Sequence, residues 1–219
     1  MTAEQPRRRL SAAERRETIL RAATEVFAQA GYRATKTADV AARIGVTEPV
    51  IFQHFGSKAA LFAAVLERAA AGVENTLDDL AAGFGSGSAL LAHVVTGFAH
   101  GRRDLDGPGG MCALGSGPPP DGPGHMADAY GVLFADVTAL ADEPELSEPA
   151  RRAFRAVATH LADVIRRAQV DGGVRADVDP DAAAWLLLSV LSAARLRDAA
   201  MPPHLQPAMA ALALRALAT

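Results

Sequence analysis

The stretch from Thr37 to Lys58, TADVAARIGVTEPVIFQHFGSK, constrains this chain more than any other. Val40, Ala41 and Ile44 recur on one face of a short helix for which Thr37 is the expected N-cap. Gly45 follows where such a helix must stop. Thr47 then caps a second short helix, with Pro49 in its first turn, where a missing N–H costs little. Its apolar residues are Val50, Ile51, Phe52 and Phe55. Helices this short are unstable alone, so the chain must fold something over them. Two such helices joined by a tight glycine-containing turn suggest a helix-turn-helix, whose second helix can enter a DNA major groove. Purely structural two-helix corners share the same spacing.

The expected cover lies just upstream. Ser11 and Glu14 form a capping box, and Ile19, Leu20, Ala23, Val26, Phe27 and Ala30 make one apolar face of a helix ending at Gly31. Phe27 and Phe55 read as core residues. Downstream, Ser57 caps a fourth helix running to about Leu80, long enough to leave the head and touch the body of the protein. The free amides at its start, with Lys58 beside them, suit a DNA phosphate. Gly83, Gly85 and Gly87 separate it from the next element.

From Arg16 to Leu66 the chain resembles the DNA-binding domain of the TetR family of transcriptional regulators. The resemblance joins Phe27, the Gly31-Tyr32 pair and Thr37 to Val40-Ala41, Gly45-Val46, the aromatic Phe52, His54-Phe55 and Ser57-Lys58 before Leu61. It covers about a quarter of the chain and implies an all-helical homodimer with an effector pocket in its C-terminal domain. It also implies that the second short helix enters the groove through Thr47, Pro49, Val50, Gln53 and His54. Base chemistry adds detail: Gln53 can pair with adenine, Glu48 can accept from a cytosine amino group, and Pro49 and Val50 can meet a thymine methyl. His54 reaches a phosphate or packs. The family commonly has tyrosine at Phe52, and phenylalanine cannot donate to a phosphate. Backbone contact therefore falls to Lys36, Thr37, Ser57, Lys58 and the helix N-termini.

Charge distribution agrees with this division. The net charge of −3 argues against a nucleic-acid binder, but residues 1–60 carry +4 and the remainder −7. A basic head on an acidic body fits a DNA-binding domain joined to a domain with another task. Arg7, Arg8 and Arg9 form an N-terminal arm able to reach a phosphate backbone or minor groove. A single cysteine, Cys112, excludes an internal disulfide and a cysteine-based zinc site. The longest apolar stretch, Ala182 to Leu188, is too short to span a membrane, and the expected location is the cytoplasm, at the nucleoid.

The body reads as further helices. Ala89 to His100 carries Leu90, Leu91, Val94, Val95 and Phe98. In residues 107–124 twelve of eighteen positions are Gly or Pro, which excludes an uninterrupted helix. Met126 to Ala141 is expected to be helical, then a helix with Pro149 in its first turn and a stripe of Phe154, Val157, Leu161 and Ile165. Asp179 and Pro180 start the next, where Trp185, Leu186, Leu187, Leu188, Val190 and Leu191 surround the axis and call for burial on all sides. A last helix starts near Gln206.

The expected fold is all-α, with a head at 11–58, a linking helix at 57–80 and a ligand-binding and dimerisation domain at 81–219. Phe98, Tyr130, Phe134 and Trp185 are expected to line a mainly apolar pocket, with His93, His100 and Tyr130 adding polar contacts. Phe154, Val157, Leu161, Ile165, Leu187 and Leu191 are expected at a four-helix dimer interface. No cofactor, metal site or catalytic constellation is indicated. The function expected is a ligand-responsive DNA-binding regulator, a repressor released from a palindromic operator. A ligand-blind or architectural DNA binder and an enzyme on a helical scaffold are the alternatives.

Overall fold

The computed structural model describes residues 11–99, 143–193, 197, 200–202 and 204–219. Among these residues the fold is all-helical: α1 (Ala12–Ala34), α2 (Thr37–Arg43), α3 (Glu48–Phe55), α4 (Lys58–Gly83), α5 (Gly87–Ala99), α6 (Pro144–Val170), α7 (Pro180–Ser192) and α8 (Leu205–Leu217). The N-terminal arm, the 107–124 segment with Cys112, the expected helix at Met126 to Ala141, and His100, Tyr130 and Phe134 lie outside the described residues, as do the side chains of Phe98 and Leu191.

Local chemistry sets most helix starts. Glu14 N donates to Ser11 Oγ at 3.2 Å, and Ser11 N donates to the Glu14 carboxylate at 2.7 Å, closing the expected box. Ala60 N donates to Ser57 Oγ at 3.0 Å at the start of α4. Asp179 Oδ1 accepts from Asp181 N at 2.9 Å and from Ala182 N at 3.0 Å, with Pro180 as the first residue of α7.

Three starts differ from the sequence reading. Lys36, not Thr37, is the N-cap of α2. A lysine side chain has no acceptor, so only the return half of a capping box forms, from Lys36 N to Asp39 Oδ2 at 3.2 Å. Thr47 caps α3 through its backbone alone, without a side-chain bond. The sixth helix starts at Pro144, which leaves Pro149 inside it. Fully buried Leu146 and the closely packed Ala150 and Ala153 anchor this turn around the backbone bond that Pro149 cannot make.

In the head, α1 packs on α2 and α4, while α3 packs on α2 and α4. Ile19, Phe27, Val40, Ile51, Leu61 and Phe62 are essentially without solvent exposure. Gly31, at φ 78°, breaks the helical backbone near the end of α1. Tyr32 then turns inward to meet Phe62 at 5.0 Å between ring centroids. A bend of 67° separates α3 from α4. No single helix among the described residues is long and apolar enough to cross a membrane.

In the body, α6 is central and packs on α4, α5 and α7, while α8 packs on α5. The start of α5 is capped twice. Ser86 Oγ accepts from Ala89 N at 3.1 Å, and the Asp171 carboxylate, arriving from the end of α6, accepts from Gly87 N and from Ser88 N, the latter at 3.1 Å. Gly87 is required at this junction. A Cβ there would stand against the Arg167 backbone and 2.5 Å from Ala168 N.

The two helices expected at a dimer interface differ in their cover within one subunit. Val157, Leu161 and Ile165 are at most 2% exposed within one subunit, because α4 and α5 already cover that face of α6. Leu187 is likewise buried, and Phe154 is half-buried. Conversely, among the described residues α7 is not enclosed: Trp185 is 46% exposed and Leu186 60% exposed. The buried side of α7 is Ala183, Ala184, Leu187 and Leu188, and Trp185 lies outside that set.

Two glycine substitutions test this packing. Gly87→Ala must push apart the α5–α6 junction and is expected to lower the unfolding free energy by about 2 kcal/mol. Gly72→Ala, in the interior of α4 with open space at its Cβ position, is expected to raise it by about 0.5–1 kcal/mol. Urea denaturation of both variants measures the contrast.

Candidate nucleic-acid interface

The candidate interface is built on α2, the Gly45 turn and α3. Gly45 takes φ 68°, and Val46 N donates to Ala41 O at 3.0 Å, which closes the corner. Gly56, at φ 77°, ends α3. Only Ile51 of α3 is fully buried, and it pins the helix to the head core. Thr47, Pro49 and Gln53 are exposed, while Glu48, Val50 and His54 are half-buried. The surface expected to meet base edges is therefore presented outward, on a helix fixed from one side.

Phe52 belongs by spacing to the apolar set of α3, yet it is 41% exposed. It adds a large apolar surface beside Gln53. The period of a two-turn helix is too short a signal to assign it to either face.

The residues expected to hold phosphates have differing surroundings. Lys36 is exposed beside the first turn of α2. Lys58 lies with its ammonium 4.4 Å from the centroid of the Tyr32 ring and 3.4 Å from Arg33 O, so it is tied to the end of α1. Ser57 spends its hydroxyl on capping α4. Thr37 is 7% exposed, and its hydroxyl donates to the Glu48 carboxylate. Around the rim, Arg43 pairs with Glu25, Arg68 pairs with Glu17, and the Arg16 guanidinium stacks 4.7 Å from the Phe55 ring centroid. Those three cations brace the head, with Arg16 and Arg43 still exposed.

A model of bacterial regulatory proteins of the tetR family matches residues 19–65, which span this corner and its cover. The N-terminal domain belongs to the TetR family. The chain is 50% identical over 60 residues to an HTH-type transcriptional activator, FasR, of Mycolicibacterium smegmatis, a match covering 27% of each chain. It is 49% identical over 49 residues to an HTH-type transcriptional repressor, Rv3405c, of Mycobacterium tuberculosis, covering 22% of this chain and 26% of the relative. The match thus spans about a quarter of these curated relatives. Beyond the TetR-family head the likeness is one of fold. A TetR-family regulator structure from Rhodococcus sp. superposes with a TM-score of 0.71 at 20% identity, over 94% of this chain and all of the other.

In the body, the structure places one of the expected pocket residues in a telling environment. His93, on α5, has a buried Nε2 without a hydrogen-bond partner among the described residues, and its ring lies 5.2 Å from the Phe84 ring. Burial pushes the imidazole below its ordinary value, so the neutral form is favoured in the folded state. A second buried atom without a partner among the described residues, Ser88 Oγ, lies at the α5–α6 junction close to Gly173.

His93 gives the fold a pH dependence. Its folded-state value lies below the unfolded one, so the unfolded chain takes up a proton first as pH falls. The associated stability is present above about pH 6.5 and is lost below it. His93→Gln is expected to flatten that part of the curve, measured as melting temperature between about pH 7.5 and 5.

Proposed function

We propose that this protein is a DNA-binding transcriptional regulator whose C-terminal domain responds to a small, mainly apolar effector. The observation that carries the reading is α3: a helix anchored by Ile51, with Thr47, Pro49 and Gln53 outward, in a head matched by the tetR family model. Such a helix meets base edges with its first turn and outward face. Gln53 supplies an amide for adenine, and Pro49, Val50 and exposed Phe52 supply apolar contact for thymine methyls. Lys36 and Lys58 supply the phosphate-facing charge. The head relatives include both an activator and a repressor. Release of a repressor from its operator is the direction of response we propose.

The effector reading rests on the body. The His93 Nε2 offers one directional polar contact next to the aromatic face of Phe84. One route of packed helices joins body to head: α4, which packs on both α1 and α6. Near the end of α1, burial first, then the nearby carboxylates of Glu143 and Glu145, push the Tyr32 phenol above its ordinary value. An effector acts only by binding one arrangement of these helices more tightly than the other, so operator and effector weaken each other equally.

The outer face of α7 is the surface we assign to pairing with a second copy. Trp185 and Leu186 are large apolar groups on one exposed side. Arg166 bridges Asp163 on its own helix at 2.6 Å and Asp181 of α7 at 2.8 Å, fixing the two helices together beside that face. Two copies related by a two-fold axis would present two α3 helices to a palindrome.

Selection of bound duplexes from a random pool tests the whole reading. An inverted repeat is expected, with half-site centres about one helical turn or a multiple apart. Gln53→Ala should relax preference at one position in each half-site, whereas Lys58→Ala should weaken binding nearly equally on all sites. Leu186→Asp should halve the solution mass and abolish preference for the paired half-sites while leaving the fold intact, because Leu186 is outside the subunit core. Sites without an inverted repeat, or a Leu186→Asp variant of unchanged mass, would contradict the pairing.

A further inference from the structure

Glu48 sits awkwardly in a DNA-binding reading. It is a carboxylate in the first turn of the helix that approaches a polyanion. Thr37 is awkward in the opposite way, a hydroxyl at a helix start that is nevertheless 7% exposed. Each accounts for the other. The Thr37 hydroxyl donates to the Glu48 carboxylate, joining the first residue of α2 to the first residue of α3 across eleven positions of sequence.

We propose that Glu48 is a positioning residue that latches α3 to α2 through Thr37, and that it does not read a base. This rests on the DNA-binding reading above. Neither short helix has a side-chain cap: Lys36 has no acceptor to offer, and Thr47 makes no cap bond. The Glu48 carboxylate lies in the first turn of α3 and touches the first residue of α2, so the positive ends of both helix dipoles favour its charge. The bond turns the carboxylate back toward α2, away from the outward face that carries Gln53. The same charge repels a phosphate at the Thr37 hydroxyl itself. Thr37 is then part of the latch and not a phosphate contact, and backbone contact shifts to Lys36 and the start of α4.

The test uses the full chain with Thr37→Val, Glu48→Gln, Glu48→Ala and the Thr37→Val/Glu48→Ala pair, read by thermal melting and by selection of bound DNA. Thr37→Val and Glu48→Ala should each lower the melting temperature, and the pair should fall no further than the larger single loss. Glu48→Gln, whose amide oxygen still accepts, should keep most of the stability. All variants should select the same sequence as the wild type. Glu48→Ala should bind every selected site more weakly by one shared factor, up to roughly tenfold. Glu48→Gln should bind every site more tightly at low salt, since it removes a charge facing phosphates. Additive losses in melting overturn the latch. Loss of preference at a single base pair in Glu48→Ala, or a shift of that pair toward adenine in Glu48→Gln, overturns the positioning role in favour of base readout. A wild-type chain that selects no sequence refutes the DNA-binding reading instead, and the melting cycle still decides the latch.

Discussion

The head depends on one aromatic contact cluster. Phe27 of α1 meets Phe62 of α4 edge-on at 4.8 Å between centroids, and Tyr32 closes on Phe62 from the end of α1. Helices of seven and eight residues gain too few internal hydrogen bonds to offset their nucleation cost. They persist because Val40, Ala41 and Ile51 are buried against the core that this cluster anchors. Positive φ at Gly31 turns Tyr32 inward, and the Lys58 ammonium rests on the Tyr32 ring, so the same cluster also fixes the start of α4. The orientation of α3, and with it any reading of DNA, depends on this packing.

The body is organised differently, by one amphipathic helix. One face of α6 is apolar from Leu146 through Ala153, Val157 and Leu161 to Ala168, and α4, α5 and α7 divide that face among them. Asp171 then reaches from its end to cap α5, and Gly87 allows the backbones to meet. A shift of α5 is therefore felt by α6, and α6 packs on α4, which in turn packs on α1. This gives the proposed effector response a physical route made of packed helices, with His93 on α5.

What the sequence made legible was chemistry between near neighbours. The Ser11–Glu14 box, the Ser57 and Asp179 caps, and the glycine stop at Gly45 involve groups within a few residues of one another. Their spacing is visible in one dimension. The Asp171 cap on Ser88 crosses 83 residues, and the Thr37–Glu48 bond joins two helices, so neither has a local pattern. The faces of α6 and α7 differ from expectation for a related reason. Periodicity finds an apolar stripe but does not say whether its cover comes from the same subunit. Leu161 is covered internally, while Leu186 is not. At the candidate site, the exposure of Phe52 is illegible in sequence because a helix of two turns has no period long enough to assign every side.

The central claim is that the corner from Lys36 to Lys58 is the surface given to DNA. Hydrogen–deuterium exchange of the full chain, with and without a duplex it selects, measures this directly. The account predicts slowed exchange concentrated at the starts of α2, α3 and α4, with α8 unchanged. Protection centred on α7 or α8, with the start of α3 unaffected, would contradict it.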